Sequence, residues 1–353
     1  MDKKQLLAAL ANPDEAERIY AVEDVIALKL EEHYPVLMEH IYNEESRLVR
    51  ELIVEGLKVL DISDHFPALA KYFESTDAYI RNCAIEIFGS KGEDAVAFLT
   101  SIMDHENKEV RKLILDSLVA TSSKYSIPAL RAALRDKAPN VMITAIEYLG
   151  KIYDEESLKD VMEIFEKVTE PMVRCACLET LTIMGDSAAV DRVLTVLGKK
   201  NMDSFYKPSV LRFVGEKGGV RHLEFLLSFL NNKNTMYFRE LSNGILKIIS
   251  RENIHKLDEE HTKFMLNNLR NLNGYAEERL TFLYIVSKLD VPSKETLYEE
   301  LASDDNEDIA LTALEHLAEI NRPRAEKLID KKMKLASPEH RRNLAALLDS
   351  IKE

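Results

Sequence analysis

One spacing constrains this chain more than any other feature. A basic residue recurs at Arg18, Arg50, Arg81, Arg111, Arg174, Lys207, Arg239, Arg279 and Arg341, and Met142 and Ala310 fall in the same register. The intervals between these eleven index positions run from 30 to 33 residues, except for a step of 40 between Arg239 and Arg279. Self-similarity at a fixed period of this size is the signature of a stacked array. Seven residues after each index stand Val25, Leu57, Phe88, Leu118, Leu149, Leu181, Val214, Leu246, Val286, Leu317 and Leu348, all apolar. Four residues after it, Asn243 is the single polar exception. Positions four and seven share one face of an α-helix, so each index sits early in a helix that buries one stripe.

The flanking residues define the rest of the unit. Four residues before the index lie Asp14, Ser46, Asp77, Asn107, Glu170, Asp203, Thr235, Asn306 and Ser337, with Ala138 and Tyr275 as misfits. Most of these side chains can accept a hydrogen bond from the free N–H groups of a first helical turn. Further upstream, Pro35, Pro67 and Pro128 fall where a preceding helix should begin. Each unit therefore reads as helix A, a tight turn, a cap and helix B.

The pattern Asp-x-x-Val-Arg, followed by small and apolar residues, an acid and Leu-Gly, resembles the short HEAT repeat of the phycobilisome-lyase type. It is clearest in DAYIRNCAIEIFGSKG (77–92) and from Asn140 to Gly150. The resemblance spans essentially the whole chain. It implies an all-α fold, a right-handed α-α superhelix of about eleven two-helix repeats forming one solenoid over 1–353. Within it, a regular block covers about 1–186, irregular repeats about 187–289, and C-terminal repeats about 290–353. The repeat is specific for fold and not for function, because it serves many unrelated roles.

Composition narrows the partners. The net charge is −14. Nucleic acid and anionic membrane demand clustered Lys and Arg, so neither is an expected partner. No apolar run approaches the ~18–20 residues of a membrane span. The N-terminal Met1-Asp2-Lys3-Lys4-Gln5 leads into an amphipathic segment with no signal-peptide pattern. Cys83, Cys175 and Cys177 make no disulfide framework. A reducing, cytoplasmic setting is the expectation.

No catalytic, cofactor or metal residues can be assigned. His255 and His261 flank Asp258, Glu259 and Glu260, but a spacing of six does not put both imidazoles on one helix face, and no third ligand is indicated. Cys177 falls in an apolar column and reads as core. There is no Cys-x-x-Cys pair, Gly-rich phosphate loop, nucleophile elbow or metalloprotease helix.

Two features carry the functional expectation. The resemblance implies that helix B lines the concave face, and offset five should point outward there. Glu23, Glu55, Glu86, Asp116, Glu147 and Glu179 hold that offset in six consecutive repeats, before Arg212, Gly244 and Tyr284 break the run and Glu315 restores it. These acids either pair with the index arginine of a neighbouring repeat or form a strip that receives a basic segment. The second feature is the irregular stretch. Phe205, Tyr206, Phe213, Phe225, Phe229, Tyr237 and Phe238 crowd into it beside Pro208, Gly215, Gly218 and Gly219. They are either compensating core or a recognition patch, for which Phe205, Arg212, Phe213, Tyr237 and Tyr284 are the candidates. The extra residues around 250–261 read as a longer helix B or loop, with Asp258 able to cap a new helix, or as a hinge or partner-binding insertion. The leading expectation is a non-enzymatic scaffold that binds a protein partner. A lyase or chaperone-like subunit similar to phycobilin lyases is one alternative. A nucleic-acid-binding protein similar to the HEAT-like DNA glycosylases is another, opposed by the acidity.

Overall fold

The computed structural model describes residues 2–198, 202–231, 235–271, 275–334 and 337–352. Among them every regular element is helical. Two compact units divide the chain, Met1–Met184 and Gly185–Glu353.

Unit 1 holds six helix pairs: α1 (Lys3–Leu10) with α2 (Glu15–Ala27), α3 (Tyr34–His40) with α4 (Arg47–Val59), α5 (Phe66–Ala70) with α6 (Ala78–Ser90), α7 (Glu93–Ser101) with α8 (Lys108–Ala120), α9 (Ile127–Ala133) with α10 (Pro139–Lys151), and α11 (Leu158–Lys167) with α12 (Pro171–Met184). The helices start where the capping residues predict. Asp14, Ser46, Asp77 and Asn107 each accept a backbone N–H of the first turn of helix B. Glu170 accepts from the Val173 N–H at 2.6 Å. The misfit Ala138 is offset by Pro139, which has no N–H to satisfy. Prolines 35, 67 and 128 lie in the first turns of α3, α5 and α9.

Unit 2 holds five pairs: α13 (Ser187–Leu197) with α14 (Lys207–Lys217), α15 (Val220–Leu227) with α16 (Phe238–Glu252), α17 (Glu259–Leu269) with α18 (Ala276–Lys288), α19 (Lys294–Leu301) with the first part of α20 (Glu307–Met333), and the second part of α20 with α21 (Pro338–Lys352). The two parts of α20 meet at Asn321, whose backbone leaves the helix at φ −144°, ψ 79°. Its side chain then caps the second part by accepting the Arg324 N–H at 3.2 Å. The eleven index positions thus map onto eleven pairs. Here two expected caps are displaced. α14 begins at Lys207 after Tyr206, and α16 begins at Phe238 after Tyr237, so positions 203 and 235 lie before the helix starts. The 40-residue step holds a longer helix B, which ends on left-handed Asn253, and a connection to α17. Asp258 caps α17 through the His261 N–H at 2.9 Å, as its position predicts.

Within each unit, every helix B packs on the next. The position three after the index is buried in all eleven repeats, from Ala21 to Leu344. Small residues set the closeness. A Cβ on Gly89 would lie 2.8 Å from Ala120 Cβ, and one on Gly150 would lie 2.7 Å from Thr180 Oγ1. In unit 2, Tyr206, Phe213, Phe225, Tyr237 and Phe238 are buried in the core around the irregular repeats. Phe238 meets Phe264 and Phe282 edge-on at 5.8 and 6.1 Å. Ala302, Leu314, Ile329, Leu344 and Leu347 form the last core cluster.

Candidate interaction surface

The repeat's arginine comes first, because it decides whether the acidic column is neutralised. The column lies outward on helix B, but the guanidinium turns the other way. It reaches back to a carbonyl six residues upstream, where helix A turns into helix B. Arg18 donates to Asn12 at 2.9 Å, Arg81 to Ser75 at 2.8 Å, Arg111 to His105 at 2.7 Å, and Arg174 to Val168 at 2.9 Å. Arg50 donates likewise to the Glu44 carbonyl. These bonds satisfy the carbonyls left open at a helix end. Three arginines also reach forward into the next repeat with a two-pronged ion pair. Arg18 grips Glu44, Arg111 grips Asp136 at 2.7 and 2.8 Å, and Arg279 grips Asp304. Burial alone would raise the Glu44 carboxyl, but bonds from Arg18, the Ser46 N–H and His40 outweigh it and hold its pKa at about 2.

The expectation that index arginines neutralise the offset-five acids is therefore wrong. The arginines are engaged at the turns between helices A and B. Glu23, Glu55, Glu86, Glu147 and Glu179 are exposed, and Asp116 is half-buried. Glu55 pairs with Lys58 on its own helix at 2.7 Å. Asp116 accepts the Tyr148 hydroxyl of the next repeat at 2.5 Å. Glu23, Glu86 and Glu147 form no ion pair or hydrogen bond among the described residues.

Charge is divided unevenly along the chain. Residues 1–184 carry 34 acidic against 21 basic side chains, a net of −13, while residues 185–353 carry 27 against 26, a net of −1. Nearly all of the chain's net negative charge belongs to the unit that carries the column.

The irregular candidates scatter. Phe213 and Tyr237 are buried at 0% and 6% exposure, so they belong to the core and are not offered to a partner. Phe205 and Tyr284 are exposed, and so is Arg212. Arg212 lines a groove of about 480 Å³ with Glu216, Arg239, Glu240, Asn243, Gly244 and Lys247, between α14 and α16. Gly215 and Gly244 bring these two helices together, since a Cβ on Gly215 would lie 2.4 Å from Gly244 Cα. The polar exception Asn243 is thus an exposed groove residue. The index residues here are also displaced. Lys207 lies over the rings of Phe229 and Tyr237, and Arg239 stands out into solvent.

His261 binds Asp258 and the Leu227 carbonyl, whereas His255 binds the Lys288 carbonyl. Among the described residues no three His, Cys, Asp or Glu side chains gather as a metal site. Burial pushes the Cys83 thiol up to about 11 and the Cys177 thiol up to about 12, so both stay protonated. No described helix is long and apolar enough to cross a membrane.

Residues 96–181 match the family described as HEAT repeats. No curated protein matches the chain. Several solved structures do. Kap95p, from a complex in which its binding induces the switch loops of RanGDP to adopt the GTP-bound conformation, is 13% identical, with a TM-score of 0.61 over 99% of this chain and 55% of its own. Kap121p bound to the extreme C-terminus of the protein phosphatase Cdc14p is 11% identical, with a TM-score of 0.53 over 97% of this chain and 49% of its own. Importin beta is 14% identical, with a TM-score of 0.53 over 94% of this chain and 50% of its own. The chain spans about half the length of these karyopherins. By fold it is a HEAT-repeat protein, and the likeness at this identity concerns the fold alone.

Proposed function

We propose that this protein is a non-enzymatic interaction scaffold, whose unit 1 receives a basic segment of a partner protein along the outward face of its B helices. The observation that carries this reading is the acidic column itself. It recurs in six consecutive repeats, and Glu23, Glu86 and Glu147 make no ion pair or hydrogen bond among the described residues, while Arg18, Arg50, Arg81 and Arg111 are engaged at the turns. Neighbouring B helices sit ~8–10 Å apart. Unit charges at that distance repel by roughly 0.4–0.5 kcal/mol in water before salt screening. A basic segment lying along the column relieves several such repulsions together. The fold supports a protein partner, since Kap121p of similar fold holds the C-terminus of another protein.

The test is the triple substitution Glu55→Lys, Glu86→Lys and Glu147→Lys, with a labelled lysine- and arginine-rich peptide as probe. Exposed ion pairs contribute ~0.2–1 kcal/mol each, so binding should weaken about tenfold or more while helicity is unchanged. Unchanged affinity rejects the column as the docking face.

A further inference from the structure

The second part of α20 carries charge of the opposite sign. Arg324, Lys327, Lys331 and Lys334 follow one another at steps of three, four and three residues, which places them on one stripe of this helix. An open groove of about 650 Å³ runs beside the stripe, lined by these four residues with Pro323, Glu326, Leu328 and Asp330. The local pairs leave the lysines over. Arg324 is held by Glu299, and Glu326 pairs with Arg322 at 3.2 Å. Lys332, on the adjoining face, donates to the Ala302 carbonyl. Lys327, Lys331 and Lys334 are exposed and make no ion pair or hydrogen bond among the described residues, with Asp330 the one acid left among them. The helix dipole favours cations in the last turn. It requires neither Lys327 in mid-helix nor the alignment of the three.

We propose that this lysine stripe and its groove form a second docking site, one that takes a short acidic peptide segment of a partner protein. The stripe from Lys327 to Lys334 is ~10 Å long at 1.5 Å per residue, the length of a few carboxylates. A nucleic acid demands a longer positive track, commonly about six to ten phosphate contacts. Leu328 and Pro323 add apolar surface that suits peptide side chains.

Fluorescence anisotropy on the full chain tests the site, with a labelled glutamate-rich peptide as probe and a single-stranded oligonucleotide as competitor. The peptide should bind at low salt and weaken as salt rises. Lys327→Glu, Lys331→Glu and Lys334→Glu together should reduce affinity about tenfold or more, and the three Lys→Gln changes should do so to a smaller degree, with the far-UV spectrum unaltered. The proposal is overturned if the wild type does not bind the peptide, if both triple variants bind like wild type, or if the oligonucleotide binds more tightly than the peptide. A Glu55→Gln, Glu86→Gln and Glu147→Gln variant, which adds no cation, should bind this probe like wild type, which separates this site from the acidic column.

Discussion

Arg111 and Arg239 hold the same place in the repeat and do different things. In unit 1, Arg111 is buried, closes the turn of its own repeat and grips Asp136 in the next. In unit 2, Arg239 is 69% exposed and pairs with Glu277 at 3.8 Å. The difference follows from where the helix starts. α8 begins three residues before Arg111, so the side chain can reach back over a full turn. α16 begins one residue before Arg239. Tyr237 at the helix start makes no side-chain cap, and the Arg239 side chain projects outward. One shift in a helix start converts a stapling residue into a surface residue. Here Phe238 packs edge-on against Phe264 and Phe282 of the next repeat.

Substitution at the index should break this contrast most sharply. Arg111→Ala and Arg279→Ala each leave a buried carboxylate without its partner, and should cost about 3–5 kcal/mol in urea unfolding. Arg239→Ala should leave the midpoint where it is. A large loss at Arg239 would show that this index residue staples its repeat as Arg111 and Arg279 do.

Glycine substitutions come next. Gly215→Ala drives a methyl into the Gly244 backbone, which cannot yield without separating α14 from α16. A cost of about 1–3 kcal/mol is expected from overpacking. Gly56→Ala meets only the end of the Ile26 side chain, at 2.3 Å, which can rotate away. It should cost less, and an equal cost would remove the distinction between the two stacking contacts.

The smallest effect is the pH dependence that Glu44 contributes to unit 1. The Glu44 carboxyl has a folded pKa of about 2, below the ordinary 4.5. A depressed carboxylate contributes stability that is present above its unfolded value and lost as pH falls through the folded one. Stability should therefore decline between about pH 4.5 and 2 partly through this group. Glu44→Gln should flatten that limb, and an unchanged acid limb would remove Glu44 from the account.

Much of this was legible beforehand. The period gave the eleven pairs, and the Asp, Ser and Asn caps gave most helix starts, because capping acts within four residues. Pro208 marks the first turn of the helix that starts at Lys207, whereas the displaced start at Phe238 was not legible, since the aromatics there pack against other helices. The acidic column was visible as a column, but its state of pairing was not. A signal for the staple did exist. Glu44, Asp136 and Asp304 all stand six residues before an index position, one repeat after an arginine.

The sequence by itself determined the helical period, the repeat count and the faces of each helix, because burial periodicity and end-capping are local. Only the tertiary structure decided where each guanidinium goes. Its main partners are backbone carbonyls, which every residue possesses and no side chain announces. That same choice left the Glu23, Glu86 and Glu147 carboxylates without an ion pair or hydrogen bond among the described residues, and made a repeated acid into a candidate surface.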